Sequence, residues 1–160
     1  MAESKRLQIL KALTTHLEGV DGYDLANKVW RGRSRPADES VAPFIILFEM
    51  PPEAENQADE QVASMPWYIG IQGYIGTDNV HPTDPAHDFM AAVKARVGQL
   101  LDDGGASRPP ADYMLGGLVE NLQVDGGMCF DGDETTNCCF FALKLTLTVV
   151  ENLGDPYAEA

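Results

Sequence analysis

The stretch CCFFALKLTLTVV, residues 138–150, decides the fold because two kinds of side chain alternate along it. In a β-strand, successive side chains point to opposite faces of the sheet. One face of this strand would carry Cys139, Phe141, Leu143, Leu145, Leu147 and Val149. The other would carry Cys138, Phe140, Ala142, Lys144, Thr146 and Thr148. The alternation predicts a strand with one face in the core.

The adjacent cysteines follow the same alternation, so Cys138 and Cys139 cannot serve one site. We expect Cys139 to be a small buried apolar side chain and the two thiols to be unbonded. Cys129 makes the count odd, and no CxxC pair is present, which argues against a disulfide framework and a structural zinc site.

The stretch WYIGIQGYIGT, residues 67–77, predicts a second strand of the same kind. Its glycines lack the GxGxxG spacing, and no helix starts after them, which excludes a phosphate-binding loop. Small residues on a strand instead allow another surface to approach closely. The apolar face would carry Trp67, Ile69, Ile71, Gly73 and Ile75.

Two amphipathic helices are predicted, one over residues 3–18 and one following residue 83. In the second, Asp84 is expected to cap the helix and Pro85 to occupy its first position. The predicted buried stripes are Leu7, Leu10, Leu13 and Leu17 in the first helix, and Phe89, Val93, Val97 and Leu100 in the second.

Three further strands are predicted in NKVWRGR, APFIILFEM and LVENLQV. The order of elements predicts an α+β fold with a mostly antiparallel sheet of about five strands and two main helices packed on one face. We expect one domain over residues 1–160, a mobile acidic loop near 51–66 and a loose C-terminal tail near 151–160.

The net charge of −14 is unevenly distributed. Residues 1–35 hold seven of the eleven basic residues, whereas residues 36–160 hold four basic and twenty-one acidic ones. Such a chain repels nucleic acid at long range. Its longest apolar run, FIILF, is too short to span a membrane, and the N-terminus lacks the pattern of a signal peptide, so we expect a soluble cytoplasmic protein.

The candidate metal sites have simpler explanations. His81 and His87 lie near Asp84 and Asp88, but helix capping accounts for both carboxylates. Residues 131–137, DGDETTN, resemble the start of a calcium loop without its required glycine and glutamate, and a hairpin turn explains them equally well. No GxSxG, HExxH or Walker sequence is present. We predict no catalytic residue, no metal and no cofactor, and a protein that is not an enzyme.

The whole pattern resembles the tail terminator (tail completion) proteins of long-tailed bacteriophages. The resemblance is carried by the helix RLQILKALTTHL, the strands VWRGR, APFIILFE and WYIGIQGYI, the helix AHDFMAAVKARVGQLL and the ending ALKLTLTVVENLGDPY. It implies a structural virion protein that forms a six-membered ring, caps the tail tube and joins it to the head connector, while DNA passes through the lumen without sequence-specific binding. It also implies a place in the tail or neck after assembly in the bacterial cytoplasm, with no membrane partner.

Opposite charges suggest where such subunits meet. The basic stretch RGRSR is either a solvated turn or a contact for an acidic partner. The candidate interface residues are Arg31, Arg33 and Arg35 on one side, and Glu53, Glu55, Asp59 and Glu60 on the other. The alternatives are another neck or minor tail component, such as a head-closure or tube protein, and a small metal- or ligand-binding domain.

Overall fold

A computed structural model describes residues 2–32, 41–51, 62–105, 110–132 and 137–157. Its strands are β1 (Val29–Arg31), β2 (Phe44–Glu49), β3 (Val62–Gly76), β4 (Asn121–Val124), β5 (Met128–Phe130) and β6 (Cys138–Asn152). Its helices are α1 (Lys5–Leu17), α2 (Asp84–Gly98), which runs on into a 3-10 turn, and the single turn α3 (Met114–Gly117). The predicted α+β class is confirmed.

The sheet has the strand order β1-β2-β3-β6-β4, and β5 pairs with β6 beside β4. Only β1 and β2 run parallel among the described pairs, and the others are antiparallel. The two 15-residue strands β3 and β6 pair along their whole length, from Gly76 opposite Cys138 to Val62 opposite Asn152. These two strands form the centre of the sheet and fix which residues share a face.

Both long helices pack on one face of the sheet, as predicted. Their apolar stripes join the inward residues of the central strands in one cluster, in which Ile69, Leu145 and Phe141 are fully buried. The close approach predicted for glycines occurs here within the chain, because the ring of Phe141 fills the space beside Gly73. The other face of the sheet contributes no residue to this cluster.

Helix α1 presents a different stripe from the predicted one. Ile9, Leu13 and Leu17 are fully buried, whereas Leu7 is 37% exposed and Leu10 is only partly buried. Helical periodicity allows either Ile9, Leu13 and Leu17 or the leucines that include Leu7 and Leu10 to form the buried stripe. The position of the sheet selects the first.

Helix α2 buries Phe89, Val93 and Val97 as predicted, and Leu100 is buried in the 3-10 turn that follows. The capping prediction is wrong, since Thr83 occupies the N-cap position without a side-chain hydrogen bond and Asp84 is the first helical residue. Asp84 still lies in the first turn, where a negative charge stabilises the helix.

Strand β5 was not predicted, because three residues between glycines and a polar loop carry too little periodicity to indicate a strand. Strand β3 begins at Val62, inside the segment predicted as an acidic loop, and residues 52–61 lie outside the described residues. Strand β6 extends to Asn152, and the carbonyl of Pro156 accepts a hydrogen bond from the backbone of Lys5.

The cysteine predictions are confirmed. Cys139 is fully buried, and no disulfide joins it to Cys138 or Cys129. Burial raises the pKa of the Cys139 thiol despite a hydrogen bond with the backbone of Ala86 at the start of α2. The thiol therefore stays protonated, which keeps it unreactive. Cys138 lies on the opposite face of the strand and is also buried.

Candidate partner interface

The face of the sheet opposite the helices is the candidate functional surface, and we call it the open face. The alternation of the strands places every second residue of β3 and β6 on it. Its described strand residues include Trp30, Phe44, Ile46, Phe48, Tyr68, Gly70, Gln72, Tyr74, Met128, Phe130, Phe140, Ala142, Lys144, Thr146 and Thr148.

Five aromatic rings cross the open face in a continuous line, which we call the aromatic row: Trp30, Phe44, Tyr74, Phe140 and Phe130. Neighbouring ring centroids lie 5.5, 4.9, 5.2 and 4.9 Å apart in that order. Each ring belongs to a different strand, so the row runs from β1 to β5. Distances of this size are typical of attractive aromatic pairs.

The register of the strands produces this row. Phe44 lies opposite Tyr74, Tyr74 lies opposite Phe140, and Phe140 lies opposite Phe130. Directly opposed side chains on one face of a sheet are close enough to contact. A shift of any pair by one residue would send its ring to the helix side.

The row ends at both margins of the sheet. Within the described strands, β1 pairs only with β2, and β5 pairs only with β6. Phe130 is 37% exposed and its neighbour Met128 is 63% exposed, so apolar surface reaches solvent at the β5 margin.

The open face is also unusual in charge for a chain with 25 acidic residues. No carboxylate occurs among its described strand residues, and Lys144 is the one charged residue there. The Lys144 ammonium lies 5.2 Å from the centre of the Tyr68 ring. A protein surface that approaches this face therefore meets no negative charge from the strands.

A groove of about 270 Å³ lies on this face between β2 and β5. Phe48 and Met50 line one side, Met128 and Phe130 line the other, and Ala142 forms part of its floor. The small Gly70 beside it gives the Phe48 ring its space, since an added Cβ would lie 2.2 Å from that ring. Asp125 and Lys144 also line the groove, so its apolar walls suit an anchor side chain that carries a polar end.

The structure tests little of the interface predicted from charge. Arg31 is exposed at the end of β1, whereas Arg33, Arg35, Glu53, Glu55, Asp59 and Glu60 lie outside the described residues. The proposed pairing of these charges therefore stays a prediction.

Sequence reasoning missed the aromatic row. Its signal was present as Tyr74 and Phe140 on the less apolar faces of two predicted strands, and as Phe44 in an apolar run expected to be covered on both faces. Side-chain periodicity within one strand does not determine the register that lines these rings up.

The described residues contain no group of three or more His, Cys, Asp or Glu side chains placed to hold a metal. They also include no helix long and apolar enough to cross a bilayer.

Comparison with models of known protein families found no match, and comparison with curated proteins found none. Among solved structures, the chain is similar to a chain of the "Virion of native gene transfer agent (GTA) particle". The similarity covers 92% of each chain at 11% sequence identity and a TM-score of 0.41. A likeness this distant leaves the function to be inferred from the molecule's own surfaces.

Proposed function

We propose that this chain is a structural virion protein that assembles into a ring, with six subunits as the expected number, and closes the end of a phage-type tail tube. The observation that carries the proposal is the aromatic row, which runs from one margin of the sheet to the other. Its second ring, Phe44, is fully buried, and the row reaches the surface at Phe130 beside the exposed Met128. Apolar surface of this kind on a stable domain is typical of a contact with another protein.

The layout of the row suits a head-to-tail assembly. In a ring, one surface of each subunit must match a different surface of the next. Trp30 marks one margin of the open face and Phe130 the other, so the contact would join the β5 margin of one copy to the β1 margin of its neighbour. Apolar contacts would supply most of the affinity.

The order of elements supports the tail terminator assignment. The resemblance rests on a helix, a short strand, a proline-led apolar strand, a long strand, a helix and a final strand pair. The described elements follow this order from α1 to β6, with β5 as a short addition. The further parts of the proposal, namely contacts with the tail tube and the head connector and a place in the tail or neck, come from that resemblance.

Net charge is consistent with passage of DNA. A chain with a net charge of −14 would not hold a polyanion tightly, so DNA would slide through a ring of such subunits. In this proposal the basic and acidic segments orient neighbouring subunits and add little affinity. Arg31, Arg33 and Arg35 would meet the acids between Glu53 and Glu60 of a neighbour and set the register, since exposed ion pairs contribute only about 0–1 kcal/mol each.

The test is the assembly state of the purified chain. Native mass spectrometry should show one closed stoichiometry, and negative-stain images should show a ring with a central hole. The double variant Met128→Ser/Phe130→Ser should stay folded by circular dichroism and lose the ring, because it removes apolar surface at the β5 margin.

Val80→Ser is the matched control, since Val80 is 75% exposed, lies in the loop before α2 and is not a member of the row. This variant should assemble normally. A wild-type chain that is monomeric at all concentrations and does not bind tube ends contradicts the proposal, and so does a double variant that still forms rings. Binding to the connector alone would favour a head-closure protein.

A further inference from the structure

A second surface feature lies on the helix side, away from the open face. A cleft of about 500 Å³ opens between α1, α2 and residues 111–116. Its lining includes the basic side chains of Lys11, His16 and Arg96 and the carboxylate of Asp112. A concentration of bases is notable in a chain with 25 acidic and 11 basic residues.

His16 and Arg96 are held by a reciprocal pair of hydrogen bonds. The His16 Nε2 lies 2.6 Å from the backbone oxygen of Arg96, and the Arg96 Nε donates to the backbone oxygen of His16 at 2.8 Å. Arg96 Nη1 also donates to Gln99 Oε1. Gly19 leaves room for the guanidinium, since an added Cβ would lie 2.5 Å from Arg96 Nη2. Both side chains are therefore fixed before any ligand arrives.

One ring nitrogen of His16, Nδ1, has no hydrogen-bond partner among the described residues. The partner of Nε2 is a carbonyl oxygen, which only accepts, so Nε2 carries a proton in either charge state. Nδ1 then accepts in the neutral ring and donates in the charged ring. The side chain is only 7% exposed and still lines the cleft, and no hydrogen bond to Nδ1 occurs among the described residues.

The surrounding charges nearly cancel when His16 is neutral. Lys11 on α1 forms an ion pair with Glu3, and Arg96 on α2 is accompanied by Asp112 from the facing loop. Burial lowers the pKa of His16 below its ordinary value, and the Arg96 charge lowers it further, whereas its hydrogen bond and Asp112 raise it. Protonation of His16 would therefore leave the cleft with one unbalanced positive charge.

We propose that this cleft binds a carboxylate of an acidic protein segment and takes up one proton on His16 as it does so. The single unbalanced charge suits a carboxylate, which is a monoanion, whereas a phosphate dianion would also face the repulsion of Asp112. Binding and protonation are then reciprocally coupled, since each favours the other. This site is independent of ring formation and goes beyond the proposed function.

The experiment titrates the full chain with a capped hexaglutamate peptide. Calorimetry measures the affinity at about pH 5.5 and about pH 8, which lie on either side of the ordinary pKa of histidine. We expect binding to be on the order of tenfold tighter at the lower pH, within the usual range of such couplings. The NMR signals of the His16 ring should show that its pKa rises when the peptide is bound.

His16→Gln tests the residue, because glutamine can still donate to the Arg96 carbonyl but does not titrate. It should abolish the pH dependence, and Lys11→Glu should weaken binding at both pH values. His87→Gln, at an exposed position on α2, should leave the affinity for the peptide and its pH dependence unchanged. Three results overturn the proposal: an unchanged pH dependence in His16→Gln, an unshifted His16 pKa in the wild type with peptide, or equal binding of inorganic phosphate.

Discussion

The two faces of the same sheet are built from alternate residues of the same strands, yet they differ in how their side chains pack. On the helix side, Ile71, Leu145 and Phe141 are fully buried in one continuous core. On the open face, Phe44 and Ile46 on β2 are also fully buried, but Tyr74, Phe140 and Lys144 are only half-buried, and the rings contact one another in a line. The helix side therefore supplies the continuous core, and the part of the open face around Phe140, Phe130 and Met128 is accessible to a partner.

The neighbouring residues Phe141 and Phe140 give the sharpest form of this comparison. Phe141→Ala should cost about 3–5 kcal/mol of unfolding free energy, because it leaves a cavity beside Gly73 and Phe89. Phe140→Ala should cost about 1–2 kcal/mol, since a half-buried ring loses only part of its burial energy. Urea denaturation measures both.

The assembly readout should rank the two variants in the reverse order. Phe140→Ala should weaken association strongly relative to its small effect on stability, whereas Phe141→Ala should act on association only through unfolding. Equal losses of stability for the two variants would remove the distinction between the faces.

Two glycines of β3 offer a smaller effect of the same kind. Gly73→Ala would place a Cβ 2.2 Å from the buried Phe141 ring, and overpacking of this kind costs about 1–3 kcal/mol. Gly70→Ala creates the same clash with Phe48, but that ring is half-buried and can turn toward solvent.

Thermal unfolding should therefore show a clear loss for Gly73→Ala and a loss below about 1 kcal/mol for Gly70→Ala. The second variant should also alter the groove lined by Phe48, which partner binding would reveal. A larger loss at Gly70 would mean that the open face is packed as rigidly as the core.

Lys144 is expected to show the smallest effect on stability. Its contact with Tyr68 is partly solvated, so Lys144→Gln should cost less than about 1 kcal/mol. Lys144→Glu should be similarly folded but should associate more weakly, because it places a carboxylate on a face that has none among its described strand residues. Sedimentation at low and high salt separates this charge effect from unfolding. Unchanged association for Lys144→Glu would exclude this part of the open face from the contact.

Residues with local signals were predicted well, and residues that depend on the sheet were not. The apolar alternation of β3 and β6 and the stripe of α2 were visible because each repeats several times within one element. In α1, the leucines alone suggested a stripe through Leu7, and the neighbouring Ile9 proved to be the buried residue. Helical periodicity restricts the buried face to an arc, but the choice within that arc belongs to the packing partner.

The candidate surfaces were predicted less well for the same reason. The aromatic row joins residues between 30 and 140, and the cleft joins His16 to Arg96 across 80 positions. Six of the seven interface residues predicted from charge lie outside the described part of the chain, so that prediction stays open.

The sequence by itself determined the class of fold, the long central strands and the burial of Cys139, since these follow from side-chain periodicity along one element. Only the tertiary structure decided that the aromatic residues of the open face form a single row and that His16 and Arg96 hold each other in place. The physical reason is register. The packing of whole elements determines which residues lie opposite one another across strands or between helices. The periodicity of side chains within one element does not determine it.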